Sequence, residues 1–172
     1  MRILKTKFKD LLIVKSEIFR DKRGIFKEAY KKKIIKKNLI FDCLSQSKKN
    51  TIRGLHFQRT NPQGKFITVV HGEILDVAVD LRKNSKTFGK HFSIRLNDKN
   101  CTSVFIPPGF AHGFLVISEE ALVEYKCTDF YDPDDEGSII WNDPSLNIDW
   151  PLGNPIVSIK DSEALSFDEI IK

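Results

Sequence analysis

The stretch Ile52-Arg53-Gly54-Leu55-His56-Phe57-Gln58, followed closely by Gln63-Gly64-Lys65, holds the densest chemistry in this 172-residue chain. A guanidinium, an imidazole, an amide and an ammonium fall within a segment otherwise patterned as a strand. Successive side chains of an extended chain point to opposite faces. The pattern therefore predicts Arg53, Leu55 and Phe57 on one face and His56 and Gln58 on the other. Alternating strands ordinarily keep one face apolar, and polar groups on both faces are costly unless they line a polar cavity. A single strand histidine is ordinarily structural. Arg53 and Lys65 beside it, and a second histidine segment downstream, point instead to a site.

That second segment is Ile106-Pro107-Pro108-Gly109-Phe110-Ala111-His112-Gly113-Phe114. Its Pro-Pro-Gly run is a strong turn signal, because Pro fixes φ and Gly reaches conformations other residues avoid. The turn delivers His112 at the mouth of a strand through Ile117. Two further polar clusters are Tyr125 to Pro133 and Ser158-Ile159-Lys160-Asp161. Taken alone, Tyr125 reads as a half-buried strand tyrosine and Asp161 as a turn cap. Asp76 is a rival to Asp161 as the residue orienting His56. Lys126 and Arg82 read as paired or solvated charges, and Trp141 and Trp150 as packing residues.

A metal held on a strand favours two imidazoles at alternate positions, which share one face. The residue two after His56 is Gln58, and His71, His91 and His112 have no such neighbour. No metal is expected, and the absence of a G-x-G-x-x-G loop argues against a dinucleotide. A reaction run without a cofactor must then rely on acids, bases and fixed charges.

At 19.8 kDa the chain suits one core, and residues 1–172 are expected to form a single domain. No apolar run is long enough to span a bilayer, and the N-terminal Met1 to Lys7 segment lacks the features of a secretory signal. Cys43, Cys101 and Cys127 are odd in number and widely spaced, so reduced thiols and a cytoplasmic location are expected. The net charge of +5 comes largely from Lys31-Lys32-Lys33 and Lys36-Lys37. Aromatic residues do not interleave with that block as a single-strand platform requires. Nucleic acid and membrane are therefore not expected as partners.

Short β-rich runs recur between turn residues: Leu11 to Val14, Ile25 to Tyr30, Ile52 to Phe57, Lys65 to Val70, Glu73 to Leu81, Phe92 to Leu96, Ser103 to Ile106, Phe114 to Ile117 and Leu122 to Tyr131. His71-Gly72 reads as a tight hairpin between two of them. Lys31 to Leu39 and Asp168 to Ile171 are the expected short helices. Many strands without helical patterns between them predict an all-β antiparallel sandwich or barrel.

The order of motifs resembles the dTDP-4-dehydrorhamnose 3,5-epimerase family over nearly the whole chain. The likeness runs from Phe19-Arg20-Asp21-Lys22-Arg23-Gly24-Ile25-Phe26-Lys27-Glu28 through Arg53-Gly54-Leu55-His56-Phe57-Gln58 and Asp76 to Arg82. It continues in Ala111-His112-Gly113-Phe114 and closes with Trp141-Asn142-Asp143-Pro144, Trp150-Pro151 and Lys160-Asp161. The resemblance implies a cupin-type double-stranded β-helix, a jelly roll with short peripheral helices, and a homodimer. It implies no cofactor, and a nucleotide-diphospho-4-keto-6-deoxy sugar as substrate, epimerised at C3 and C5.

The family chemistry fits the residues. A C4 ketone acidifies the hydrogens on its neighbouring carbons; a base removes one and an acid on the opposite face returns one. Neutral imidazole suits the first task, a phenol the second, and a fixed cation stabilises the enolate oxygen. The resemblance gives His56 as base, Tyr125 as acid, Asp161 as the residue that fixes the His56 tautomer, and Lys65 as the cation. Arg23, Glu28, Arg53, Gln58, His112, Tyr131, Glu136 and Lys160 stand at substrate-contacting positions. Two departures bear on the substrate: Phe41 and Cys43 stand where the family usually carries Gln and Asn, and Phe130 where many relatives have Tyr. They leave open a C3-only reaction or a different nucleotide sugar, such as a GDP-linked heptose. A metal-dependent cupin enzyme and a non-catalytic sugar-nucleotide-binding jelly roll are the readings from other classes.

Overall fold

The computed structural model describes residues 1–151 and 154–172. The chain runs through β1 (Arg2–Lys5), β2 (Leu12–Lys15), β3 (Ile18–Asp21), β4 (Gly24–Lys27), α1 (Lys32–Ile35), β5 (Phe41–Lys48), β6 (Ile52–Gln58), β7 (Lys65–His71) and β8 (Glu73–Asp80). It continues through β9 (His91–Asn97), β10 (Thr102–Ile106), β11 (Phe110–Val116), β12 (Glu120–Cys127), β13 (Glu136–Ser138), α2 (Ile159–Ser162) and α3 (Phe167–Ile171). One sheet has the order β1-β2-β10-β7-β12-β5 and the other β13-β6-β11-β8-β9, with every pairing inside them antiparallel. This is the all-β antiparallel architecture that the strand pattern predicts, in the jelly-roll form that the family resemblance implies.

Residues from both sheets form the largest core cluster: Ile67 and Val69 on β7, Val104 and Ile106 on β10, and Val123 on β12 pack with Ile74 and Ala78 on β8 and Phe110, Phe114 and Val116 on β11. The other face of β8 is buried too, because Val77 and Val79 pack with Leu55, Ile139 and Phe167 of α3. α1 covers the opposite sheet, with Ile35 set against Val14, Phe66 and Phe105. Both faces of the central strands are thus removed from water, which is why β8 reads as nearly continuous apolar sequence around Asp76 and Asp80.

Three local expectations are corrected. His71-Gly72 does not close a hairpin: β7 pairs with β10 and β12, β8 with β11 and β9, and the turn carries the chain from one sheet to the other. Gly72 has φ +82, and a Cβ there would meet the Glu120 carbonyl at 2.1 Å, so the glycine serves the crossing itself. The Lys31 to Leu39 helix is one turn, ended by Lys36 in the left-handed region at φ 55. The face assignment of Arg53 also fails. His56 lies opposite His112 and Arg53 opposite Phe114, so three steps on β6 match two on β11. The extra residue is a bulge that reverses the parity of the strand. It turns Arg53 to the same side as His56, while Leu55 and Phe57 pack in the outer cluster.

Candidate active site

The bulge depends on two glycines that belong to the two histidine segments. Gly54 has φ +122, and a Cβ on it would lie 2.5 Å from Gly113 Cα; one on Gly113 would lie 2.6 Å from the Arg53 carbonyl oxygen. Both motifs carry Gly within two residues of His because the two backbones touch there. The approach places His56 and His112 side by side at one end of the gap between the sheets.

A cavity of about 320 Å³ opens at that end. β5, β7 and β12 contribute Phe41, Cys43, Leu44, Ser45, Lys65, Tyr125 and Cys127, and the facing sheet contributes Arg53, His56, His112, Phe114 and Glu136. Gln63 and Tyr131 complete the wall from loops. A larger hollow of about 990 Å³ is lined by His71, Lys48, Lys49, Glu119 and their neighbours, and holds none of the expected site residues.

His56 Nε2 lies 2.6 Å from Asp161 Oδ1, and the other Asp161 oxygen accepts the Gly54 N–H at 3.2 Å. α2 supplies this carboxylate. Ser158 caps that single turn by accepting the Asp161 N–H at 3.1 Å, which fixes where the side chain points. Burial raises the Asp161 pKa, but the His56 and Gly54 hydrogen bonds outweigh it and hold the carboxyl below its ordinary range. Asp161 therefore accepts as a carboxylate and Nε2 carries the proton, which in the neutral ring leaves the lone pair on Nδ1.

His112 has its own carboxylate, Asp76 Oδ2 at 2.7 Å, so Asp76 serves the second histidine rather than the first. Tyr125 reaches the cavity from the opposite sheet, its hydroxyl 3.0 Å from that of Ser45. The His112 ring meets Tyr125 edge-on at 6.2 Å between centroids. Burial pushes the Tyr125 phenol well above its ordinary range, so it keeps its proton at neutral pH. Lys65 lines the cavity without an ion-pair partner among the described residues. Burial lowers its pKa, and the nearby Cys127 and Glu136 oppose that shift.

Arg53 lines the wall and donates from Nε to Ser47 Oγ at 2.8 Å. Glu136 accepts from the Tyr131 hydroxyl at 3.0 Å and pairs through the same oxygen with Lys160, which is exposed and does not itself line the cavity. Three expected contact residues lie elsewhere. Gln58 is buried and committed to backbone: its amide donates to the Asn61 carbonyl at 2.9 Å and its oxygen accepts the Asp132 N–H at 2.9 Å, which ties down the loop carrying Tyr131. Arg23 sits on the β3–β4 hairpin, 84% exposed and bonded to Asp21. Glu28 pairs with Lys31 at 2.5 Å. The sequence reading assigned no role to Ser45, Gln63, Leu44, Phe114 and Cys127 in the wall. The alternation of Ser45 with Phe41 and Cys43 along β5 was the available signal for the first. Among the described residues no group of three or more His, Cys, Asp or Glu is gathered as metal ligands, and no helix is long and apolar enough to cross a membrane.

A profile of the dTDP-4-dehydrorhamnose 3,5-epimerase family matches residues 5–169. The dTDP-4-dehydrorhamnose 3,5-epimerase of Methanothermobacter thermautotrophicus is 46% identical over 168 residues, covering 93% of this chain and 91% of its own. The crystal structure of dTDP-6-deoxy-D-glucose-3,5-epimerase from Legionella pneumophila, in complex with dTDP-4-keto-L-rhamnose, superposes with a TM-score of 0.93 at 41% identity, covering 98% of this chain and 94% of that one. More distant is a 3'-monoepimerase from Streptomyces bikiniensis in complex with dTDP-quinovose, with a TM-score of 0.87 at 27% identity over 94% of this chain and 85% of that one. With a family profile spanning almost its full length and relatives this close, the chain belongs to the dTDP-4-dehydrorhamnose 3,5-epimerase family.

Proposed function

We infer that this chain epimerises a nucleotide-diphospho-4-keto-6-deoxy sugar at C3 and C5, converting dTDP-4-dehydro-6-deoxy-D-glucose to dTDP-4-dehydro-L-rhamnose. One observation carries the reading: an oriented imidazole on β6 and a protonated phenol on β12 enter one cavity from opposed sheets, with Lys65, which has no ion-pair partner among the described residues, on the wall. His56 Nδ1 takes the proton from a carbon beside the ketone. The Lys65 cation stabilises the enolate oxygen, and Tyr125 returns a proton to the other face. A cavity of about 320 Å³ suits a pyranose ring. The diphosphate and base then extend past Arg53 and Tyr131, where a guanidinium can grip phosphate bidentately.

The chain acts as a homodimer in this reading. Among the described residues the β3–β4 hairpin pairs with no other strand, and it exposes Phe19 (57%), Ile25 (51%) and Phe26 (67%). A second copy covering that apolar face gives Arg23 and Glu28 access to a cavity other than their own chain's. The three free cysteines fit a reducing compartment, the cytoplasm. Residues 1–172 work as one jelly-roll unit.

In deuterated water, with chelator and without added nicotinamide, the enzyme should wash deuterium into both ring carbons beside the ketone. Exchange at C3 alone would move the assignment to a monoepimerase. Exchange lost to chelator would support a metal enzyme, and no exchange with several 4-keto sugars would leave a binding module. Calorimetry with dTDP, UDP, CDP and GDP reads the base preference that Phe41 and Cys43 leave open, since neither offers the donor and acceptor pair of an amide.

A further inference from the structure

Tyr125 has one hydrogen-bond partner among the described residues. Its hydroxyl meets Ser45 Oγ at 3.0 Å, and its surroundings include the His112 edge, the Phe114 ring at 6.4 Å between centroids, Cys43 opposite it on β5 and Ile67 opposite it on β7. Ser45 is half-buried and lines the cavity, so it joins a phenol shut away from bulk water to a wet surface. The register fixes the pair: Val123 lies opposite Ser45, and Tyr125 is the next residue on that face of β12. A serine hydroxyl both donates and accepts. It can accept from the phenol before the reaction and donate to the phenolate afterwards.

We propose that Ser45 is the positioning residue for Tyr125, holding the phenol at the cavity wall and returning to it the proton that it gives to the substrate carbon. The inference rests on the epimerase reading in which Tyr125 is the acid. His56 takes a proton from the ring carbon, and the electron pair of that C–H bond moves into the enolate. On the opposite face the Tyr125 O–H bond breaks as the new C–H bond forms. The phenolate takes the Ser45 proton while Ser45 takes one from cavity water, and His56 releases its own proton to water. No net proton is gained or lost. β5 does the same positioning work one step along, where Ser47 accepts from Arg53 at 2.8 Å.

The test compares the wild type with Ser45→Ala and Ser45→Thr, measuring kcat, KM and deuterium wash-in on one 4-keto sugar nucleotide. Loss of a hydrogen bond to a charged oxygen is expected to lower kcat of Ser45→Ala by roughly tenfold or more. KM and exchange on the His56 face should persist, and Ser45→Thr, which keeps the hydroxyl, should recover most of kcat. Persistent exchange also shows that the variant is folded around an intact base. A Ser45→Ala enzyme with wild-type kcat overturns this inference alone, as does exchange that falls in step with product, or a threonine variant no better than alanine. A wild-type enzyme that shows no exchange overturns the epimerase reading and this inference with it.

Discussion

Two imidazole–carboxylate pairs flank the β6–β11 register with nearly the same bond length, His56–Asp161 at 2.6 Å and His112–Asp76 at 2.7 Å. They differ in everything around that bond. The His56 side chain is 30% exposed and its carboxylate comes from a single capped turn at the periphery. The His112 side chain is 4% exposed and its carboxylate stands at the centre of β8, wholly buried. Both oxygens of Asp161 accept hydrogen bonds, whereas Asp76 Oδ1 is a buried oxygen with no partner among the described residues. Bond length alone therefore does not mark a base. The exposure of the imidazole and the completeness of its carboxylate's contacts separate an oriented, solvent-reached ring from a rigid element of the wall.

The largest effect should come from Asp161→Asn. The Gly54 N–H needs an acceptor, so the amide oxygen takes that contact and the amide N–H₂ turns to His56 Nε2. Nε2 must then accept, which moves the imidazole proton to Nδ1 and blocks it as a base. Deuterium exchange is expected to fall by ~10²–10⁴-fold, as when a general base is removed. The thermal midpoint should move little, because the amide refills the carboxylate's space. Exchange near the wild-type rate in Asp161→Asn would show that the pair is structural and would merge it with its neighbour.

The same exchange of acid for amide at Asp76 should read out as stability. The site is buried and already carries one unpartnered oxygen, so turning an acceptor into a donor there costs about 1–3 kcal/mol of unfolding free energy. Denaturant titration measures the loss, and exchange should fall far less than in Asp161→Asn. If Asp76→Asn instead matched the exchange defect of Asp161→Asn at unchanged stability, the two pairs would share the proton transfer.

How much of this contrast is visible in the chain itself varies by element. His56, His112, Tyr125 and Lys65 stand out by residue type inside strand patterns. The recurrence of short β-rich runs with no helical pattern between them is clear enough to place an antiparallel sandwich or barrel, with the jelly roll implied by the family resemblance. The parity of Arg53 is not, because a bulge is decided by contact between Gly54 and Gly113, some sixty positions apart along the chain, and local alternation carries no trace of it. β5 escaped notice because Phe41-Asp42-Cys43-Leu44-Ser45-Gln46-Ser47-Lys48 is polar with no β-branched residue; it is a strand because β12 templates it. α2 is one turn set by its Ser158 cap, too short for a helical period. Gln58 has a residue type that suits a ligand contact, and although Asn61 is only three residues on, the Phe130 and Asp132 backbone groups that use up the rest of its amide are distant in sequence.

A third buried carboxylate sharpens the comparison from the side of stability, with a smaller and strictly pH-dependent effect. Asp80, four residues along β8 from Asp76, is wholly buried but saturated: Arg82 donates from Nε at 2.8 Å and from a terminal nitrogen at 2.7 Å, and Ser85 and Thr87 each donate at 2.6 Å. Burial alone raises its pKa, and these donors reverse the shift and bring it down to about 2 from 3.8. A folded pKa below the unfolded one means the stabilisation is complete above about pH 4 and is lost as pH falls through about 2. The shift corresponds to about 2 kcal/mol. The unfolding free energy of the wild type should therefore fall more steeply than that of Asp80→Asn across this acid window, and the gap between them should close toward its lower end. The difference between the two proteins isolates Asp80 from Asp161 and Asp143, whose hydrogen bonds also hold their carboxyls low. Parallel acid curves for wild type and variant would remove Asp80 as an acid-sensitive anchor, and with it the contrast between a saturated carboxylate on β8 and the half-satisfied one that holds His112.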